Sequence, residues 1–177
     1  GENCAGILRS PENGILPRGL MLETVGRRSV KGCIICGINP GQALDREKVA
    51  FRAVGGSYEA LLRAWDDLGI KDVPYYQRLR SFIAGVGLLG PILWTNLAKC
   101  QDRSEQVRLS TKEHPDTFRT CFVAHLGKEL EVCPPDWPIV AAGREVYLAM
   151  LYLCPNRTVI GVPHPTGPFA RNQFQRL

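Results

Sequence analysis

Gly32-Cys33-Ile34-Ile35-Cys36-Gly37 runs straight into Ile38-Asn39-Pro40-Gly41, and this stretch decides the fold. The apolar run is too short for a helix and has no polar face, so it reads as a strand, Cys33–Ile38, buried on both sides. Asn-Pro and Pro-Gly then turn the chain. Outward from it, strand and helix patterns alternate. Tyr58, Leu61, Leu62 and Trp65 recur at helical spacing, which predicts a helix over about Ser57–Leu68 that stops at Gly69. A second helix is expected over Tyr76–Val86, a strand over Ile92–Leu97 and a polar loop from Gln101 to Glu113. A helix over Asp116–Val132 ends at Pro134-Pro135, and a strand over Ile139–Ala142 passes through Gly143 into a helix over Glu145–Leu153. The last strand is Thr158–Val162, followed by a turn and a short helix. Residues 1–30 are rich in Gly, Pro and Arg and predict an irregular arm; residues 31–177 form the domain. Strands alternating with helices imply parallel βαβ units. The expected architecture is α/β: a three-layer α/β/α sandwich on a central, mainly parallel four-stranded sheet.

Composition narrows the class. The 177 residues suit one domain, and 45% hydrophobic with 22% charged excludes a mainly disordered chain. The apolar stretches fall short of the ~20 residues a membrane-spanning helix needs. Gly1-Glu2-Asn3-Cys4 does not resemble a secretory leader, so an intracellular protein is expected, and a monomer. The formal charge of +5 is compatible with a polyanionic partner but too dispersed to demonstrate one. Seven cysteines, an odd number, argue against a disulfide framework. Cys33 and Cys36 lie inside the first strand and read as core; Cys133 and Cys154 each precede a proline and read as structural. His114 and His125 read as surface or helix residues.

In parallel sheets, ligands bind beyond the carboxyl ends of the strands. The strand exits here are Gly37-Ile38-Asn39-Pro40-Gly41, Thr95-Asn96-Leu97-Ala98-Lys99-Cys100, Gly143-Arg144-Glu145 and Pro163-His164-Pro165-Thr166-Gly167. Two asparagines and a histidine therefore converge on one edge. Taken singly, each has an ordinary structural explanation as a turn residue or a strand-to-loop tie. Together, held by Pro and Gly, they suggest a preorganised pocket for a ligand rich in donors and acceptors. Neither a nucleophilic triad nor a phosphate loop is visible.

Gly37-Ile-Asn-Pro-Gly41 resembles the first motif of the uracil-DNA glycosylase superfamily, in its mismatch-specific and single-strand-selective branches. His164-Pro-Thr-Gly167 is similar to the second motif, a His-Pro-Ser-x sequence. Thr95-Asn-Leu-Ala-Lys-Cys100 resembles the uracil-reading strand of the iron–sulfur branch, and Ile139-Val-Ala-Ala-Gly143 the strand that follows it. The resemblance covers about Lys31–Arg171 and implies an enzyme that hydrolyses the bond between uracil and deoxyribose in DNA. It implies that Asn39 orients the attacking water, that Asn96 reads the polar edge of uracil, and that His164 donates to the other uracil oxygen. Gly37, Gly41 and Gln42 would line the substrate side, and Phe51 would cover the base. Thr166, Gly167, Phe169 and Arg171 would face DNA, with Thr166 as a helix N-cap, Phe169 as an apolar wedge and Arg171 on phosphate. The iron–sulfur branch carries an acid in the first motif, where this chain has Asn39, so slower turnover or a preference for mismatched or single-stranded uracil is expected.

That branch also binds an iron–sulfur cluster through four cysteines. Cys4, Cys100 and Cys121 occupy matching places; Gly1 stands where the remaining ligand is expected, so the fourth ligand stays open. Two alternatives accompany the main reading: release of another deaminated base such as hypoxanthine, and a nucleic-acid-binding or sensing module that kept the fold without efficient catalysis.

Overall fold

The computed structural model describes residues 21–24, 30–41, 44–53, 65–67, 69–99 and 110–166. Among them a five-stranded sheet forms in the order β1-β3-β2-β4-β5. The strands are β1 (Met21–Glu23), β2 (Cys33–Gly37), β3 (Ile92–Asn96), β4 (Ile139–Ala142) and β5 (Val159–Val162). β2 lies between β3 and β4, and all pairings from β3 to β5 are parallel. Every residue of β2 and β4 is buried, as expected of strands covered on both faces.

The sheet corrects the four-stranded expectation. β1, inside the stretch read as an irregular arm, adds a fifth, antiparallel strand, with Met21 opposite Trp94. Three residues carry too little periodicity to announce a strand. What holds this edge is a side-chain latch: the Glu23 carboxylate accepts from Arg80 Nε at 2.8 Å, Arg80 Nη2 at 2.9 Å and Trp94 Nε1 at 2.7 Å. The Arg80 guanidinium also lies over the Trp65 and Trp94 rings.

Among the described residues the α-helices with both ends given are α1 (Asp45–Ala53), α2 (Pro74–Gly85), α3 (Pro115–Cys121), α4 (Gly127–Glu131) and α5 (Arg144–Leu153), and a short 3-10 helix covers Ile70–Asp72. α1 falls between the first strand and the first expected helix, where no helix was anticipated. Its start is set locally, because Glu47 accepts from the Leu44 N–H at 2.6 Å in a capping-box arrangement. The expected helix over Ser57–Leu68 lies mostly outside the described residues. The single helix read over Asp116–Val132 is interrupted by a π-turn, Phe122–Leu126, between α3 and α4. The strand at Ile139–Ala142 agrees with the sequence reading.

Alternate residues of each strand feed opposite faces. Ile34, Cys36, Leu93, Ile139 and Ala141 pack with Phe118, Cys121, Leu126 and Leu130 of the interrupted helix and with Val146 and Met150 of α5. Cys33, Ile35, Ile92, Trp94, Val140 and Val162 pack with Leu79 and Ile83 of α2 and with Trp65. A fully buried aliphatic side chain such as Leu79 contributes roughly 1.5–3 kcal/mol. Helices thus cover both faces. From β2 the chain crosses to β3 on one side and then to β4 on the other, so the strand order reverses at β2. The crevice beyond the carboxyl end of β2 is where such sheets bind ligands. No described helix is long and apolar enough to cross a membrane.

Candidate functional site

β2 ends at Gly37, directly opposite Asn96 at the end of β3. Leu97 N–H donates to Gly37 O and Ala98 N–H to Ile38 O, both at 2.9 Å, so the two exits stay paired past the strands. A Cβ on Gly37 would lie 2.5 Å from Asn96 Oδ1 and 2.8 Å from the Tyr75 hydroxyl oxygen. Glycine leaves space there that two side-chain oxygens from different elements fill, and a methyl group would have to push both aside. The Asn96 amide forms no side-chain hydrogen bond among the described residues, so its donor and acceptor remain open to a ligand.

Behind Asn96 sits a compact polar network. Lys99 Nζ donates to Thr95 Oγ1 at 2.6 Å, to Asn96 O at 2.9 Å and to Glu129 Oε2 at 2.6 Å. Thr95 Oγ1 also donates to Glu129 Oε2 at 2.6 Å. The ion pair is nearly dry, with side-chain exposures of 7% and 11%. A charge pair taken out of water persists only where its remaining hydrogen-bonding capacity is satisfied, as here. The network fastens the turn carrying Asn96 to α4, just past the π-turn.

His164 lies in the turn after β5 and is exposed, while Pro165 beside it is buried. Thr166 N–H donates to His164 Nδ1 at 3.4 Å, and Thr166 Oγ1 is 3.1 Å from the same nitrogen. With Nδ1 accepting, the neutral ring carries its proton on Nε2 and can donate there. The Arg78 guanidinium donates to Pro165 O, tying this turn to α2. The Tyr75 ring stands 5.7 Å from the His164 ring, centroid to centroid, at 51°. Gly143 has φ +104, a backbone that favours glycine, and a Cβ there would only touch His164 Cβ, at 3.8 Å.

Gly37, Asn96 and His164 are therefore brought to one edge, with Tyr75 touching the region of all three. Asn39 lies two residues beyond Gly37, half-buried, its Nδ2 donating to Pro40 O at 3.2 Å. Gly41 is exposed in the same turn, and a Cβ there would meet nothing within 4 Å. Phe51 belongs to α1. Thr166 is described as a turn residue whose hydroxyl is engaged by His164; its expected helix lies outside the described residues. Gln42, Gly167, Phe169, Arg171, Cys4 and Cys100 also lie outside the described residues.

Of the three candidate cluster ligands, only Cys121 is described, and it is buried in the core beside Leu97 and Phe118. No group of three metal-ligating side chains occurs among the described residues. Cys33 and Cys36 are buried, and desolvation pushes each thiol up to about 12, so both are inert core residues as their strand suggested.

Sequence reasoning missed Tyr75 and the Lys99–Glu129 pair. The expected helix began at Tyr76, so Tyr75 lay just outside it. Pro74, a frequent first helical residue, was the available signal that the helix starts earlier. Lys99 lies within a short motif, but its partner is 30 residues away.

Residues 26–176 match the family model described as the Uracil DNA glycosylase superfamily. No curated protein matches the chain.

Proposed function

Because the chain belongs to the Uracil DNA glycosylase superfamily, we propose that it removes uracil from DNA by hydrolysing the bond between base and deoxyribose. The family supports a DNA glycosylase in general. The finer reading rests on one observation: Gly37 admits the open Asn96 amide to the switch-point edge, and the same tyrosine meets both Gly37 and His164.

A base inside a duplex is unreachable, so the nucleotide is flipped into the site at a cost of a few kcal/mol. Asn96 Oδ1 accepts the uracil ring N–H, and its Nδ2 donates to the neighbouring oxygen. Cytosine presents the reverse pattern at that edge and is rejected. Asn39 positions a water against the sugar carbon. As the glycosidic bond breaks, its electron pair goes to the base and the sugar gains cationic character. His164 Nε2–H donates to the uracil oxygen on which charge builds, an interaction often worth ~3 kcal/mol. Water bonds to the sugar carbon, gives up a proton to solvent, and an abasic site remains. Asn39 is an amide and cannot take that proton, so substrates cheap to flip, mismatched or single-stranded uracil, are favoured.

The test is a labelled single-stranded oligonucleotide with one uracil, incubated with protein and then alkali. Wild-type protein gives strand scission and Asn39→Ala gives scission slower by about 10- to 100-fold, the range for a lost positioning group. Unchanged scission by Asn39→Ala removes the water-positioning role. Binding without scission by the wild type favours a recognition module on the same fold.

A further inference from the structure

Tyr75 is the side chain that joins the two halves of the site. It is the second residue of α2, after Pro74, and is held between Tyr76, at a ring-centroid distance of 5.1 Å and 86°, and His164, at 5.7 Å. Its hydroxyl and Asn96 Oδ1 stand over the same Gly37 Cα. The hydroxyl forms no hydrogen bond among the described residues, although a half-buried phenol ordinarily finds a partner. Desolvation drives its ionisation well above the ordinary phenol range, so it keeps its proton and remains a donor. A protonated donor that forms no hydrogen bond among the described residues, near both the Asn96 amide and the His164 ring, fits an anionic oxygen.

We propose that Tyr75 is a further catalytic residue, whose hydroxyl donates beside His164 Nε2–H to the uracil oxygen that becomes negative as the base departs. This deepens the glycosylase reading and rests on it. No covalent step is added: the glycosidic electron pair enters the ring, two donors share the resulting charge, and the released base takes its proton from solvent. A donor effective only in the transition state acts on kcat rather than on KM. Its value grows with the charge the leaving base must carry.

The experiment compares wild type and Tyr75→Phe on single-stranded oligonucleotides carrying uracil or 5-fluorouracil, with KM and kcat separated and thermal stability measured alongside. The phenylalanine keeps the ring and its contacts. A loss of about 100-fold in kcat on uracil is expected, in the range for one oxyanion donor, with KM nearly constant. The loss on 5-fluorouracil is smaller, because fluorine withdraws the charge the donor would have borne. Equal losses on both bases, a change in KM alone, or no loss overturns the inference while wild-type turnover preserves the glycosylase reading. Wild-type protein that releases neither base removes that reading, and this inference with it.

Discussion

Gly37 connects sequence to chemistry at the scale of a single residue. Its missing Cβ leaves space that the tips of Asn96 and Tyr75 fill. Both are ends of rotatable side chains, so a methyl group there displaces them without forcing backbone apart. Gly37→Ala is therefore expected to cost no more than about 1–3 kcal/mol of stability, the usual range for modest overpacking. It should nonetheless abolish most uracil release. Thermal unfolding and the scission assay, run together, check both halves; a variant of near-wild-type activity contradicts the close approach. At this scale the placement of polar side chains at strand exits was readable: Asn96 and His164 follow apolar runs and stand out as polar, and both lie at the same sheet edge. Tyr75 was not readable, because an aromatic at the start of an amphipathic helix looks like core until its hydroxyl is located in space.

Among the elements, the exit of β3 is held from behind. Lys99, Thr95 and Glu129 form a nearly dry network, and Lys99 also holds the Asn96 carbonyl. Lys99→Met leaves the Glu129 carboxylate buried without its cation, which costs about 3–5 kcal/mol. Removing both charges together, as Lys99→Met with Glu129→Leu, is expected to recover much of that stability, since buried pairs can be replaced by packed apolar groups. Chemical denaturation of the single and double variants measures the difference; equal destabilisation by both would show that the pair is not coupled. The strands were legible because a doubly buried strand is an uninterrupted apolar run. The π-turn at Phe122–Leu126 was not, because one additional backbone residue inside a helix leaves its hydrophobic pattern nearly intact. β1 was missed because its pairing is secured by Glu23 with Arg80, a contact 57 residues apart in the chain.

For the whole molecule, the alternation of strand and helix gave the class, and the parallel order placed the site at the reversal beside β2. The family match over residues 26–176 agrees with that class and with an activity on DNA. The central claim is that the open Asn96 amide at this edge selects uracil. It is tested most directly by base release from paired oligonucleotides differing only in uracil or cytosine at one position, with wild type and Asn96→Ala. The account predicts release of uracil alone by the wild type, and a loss of about 100-fold or more in the variant, as two bonds to the departing base are removed. Uracil release undiminished by Asn96→Ala, or cytosine released as readily as uracil, would contradict it.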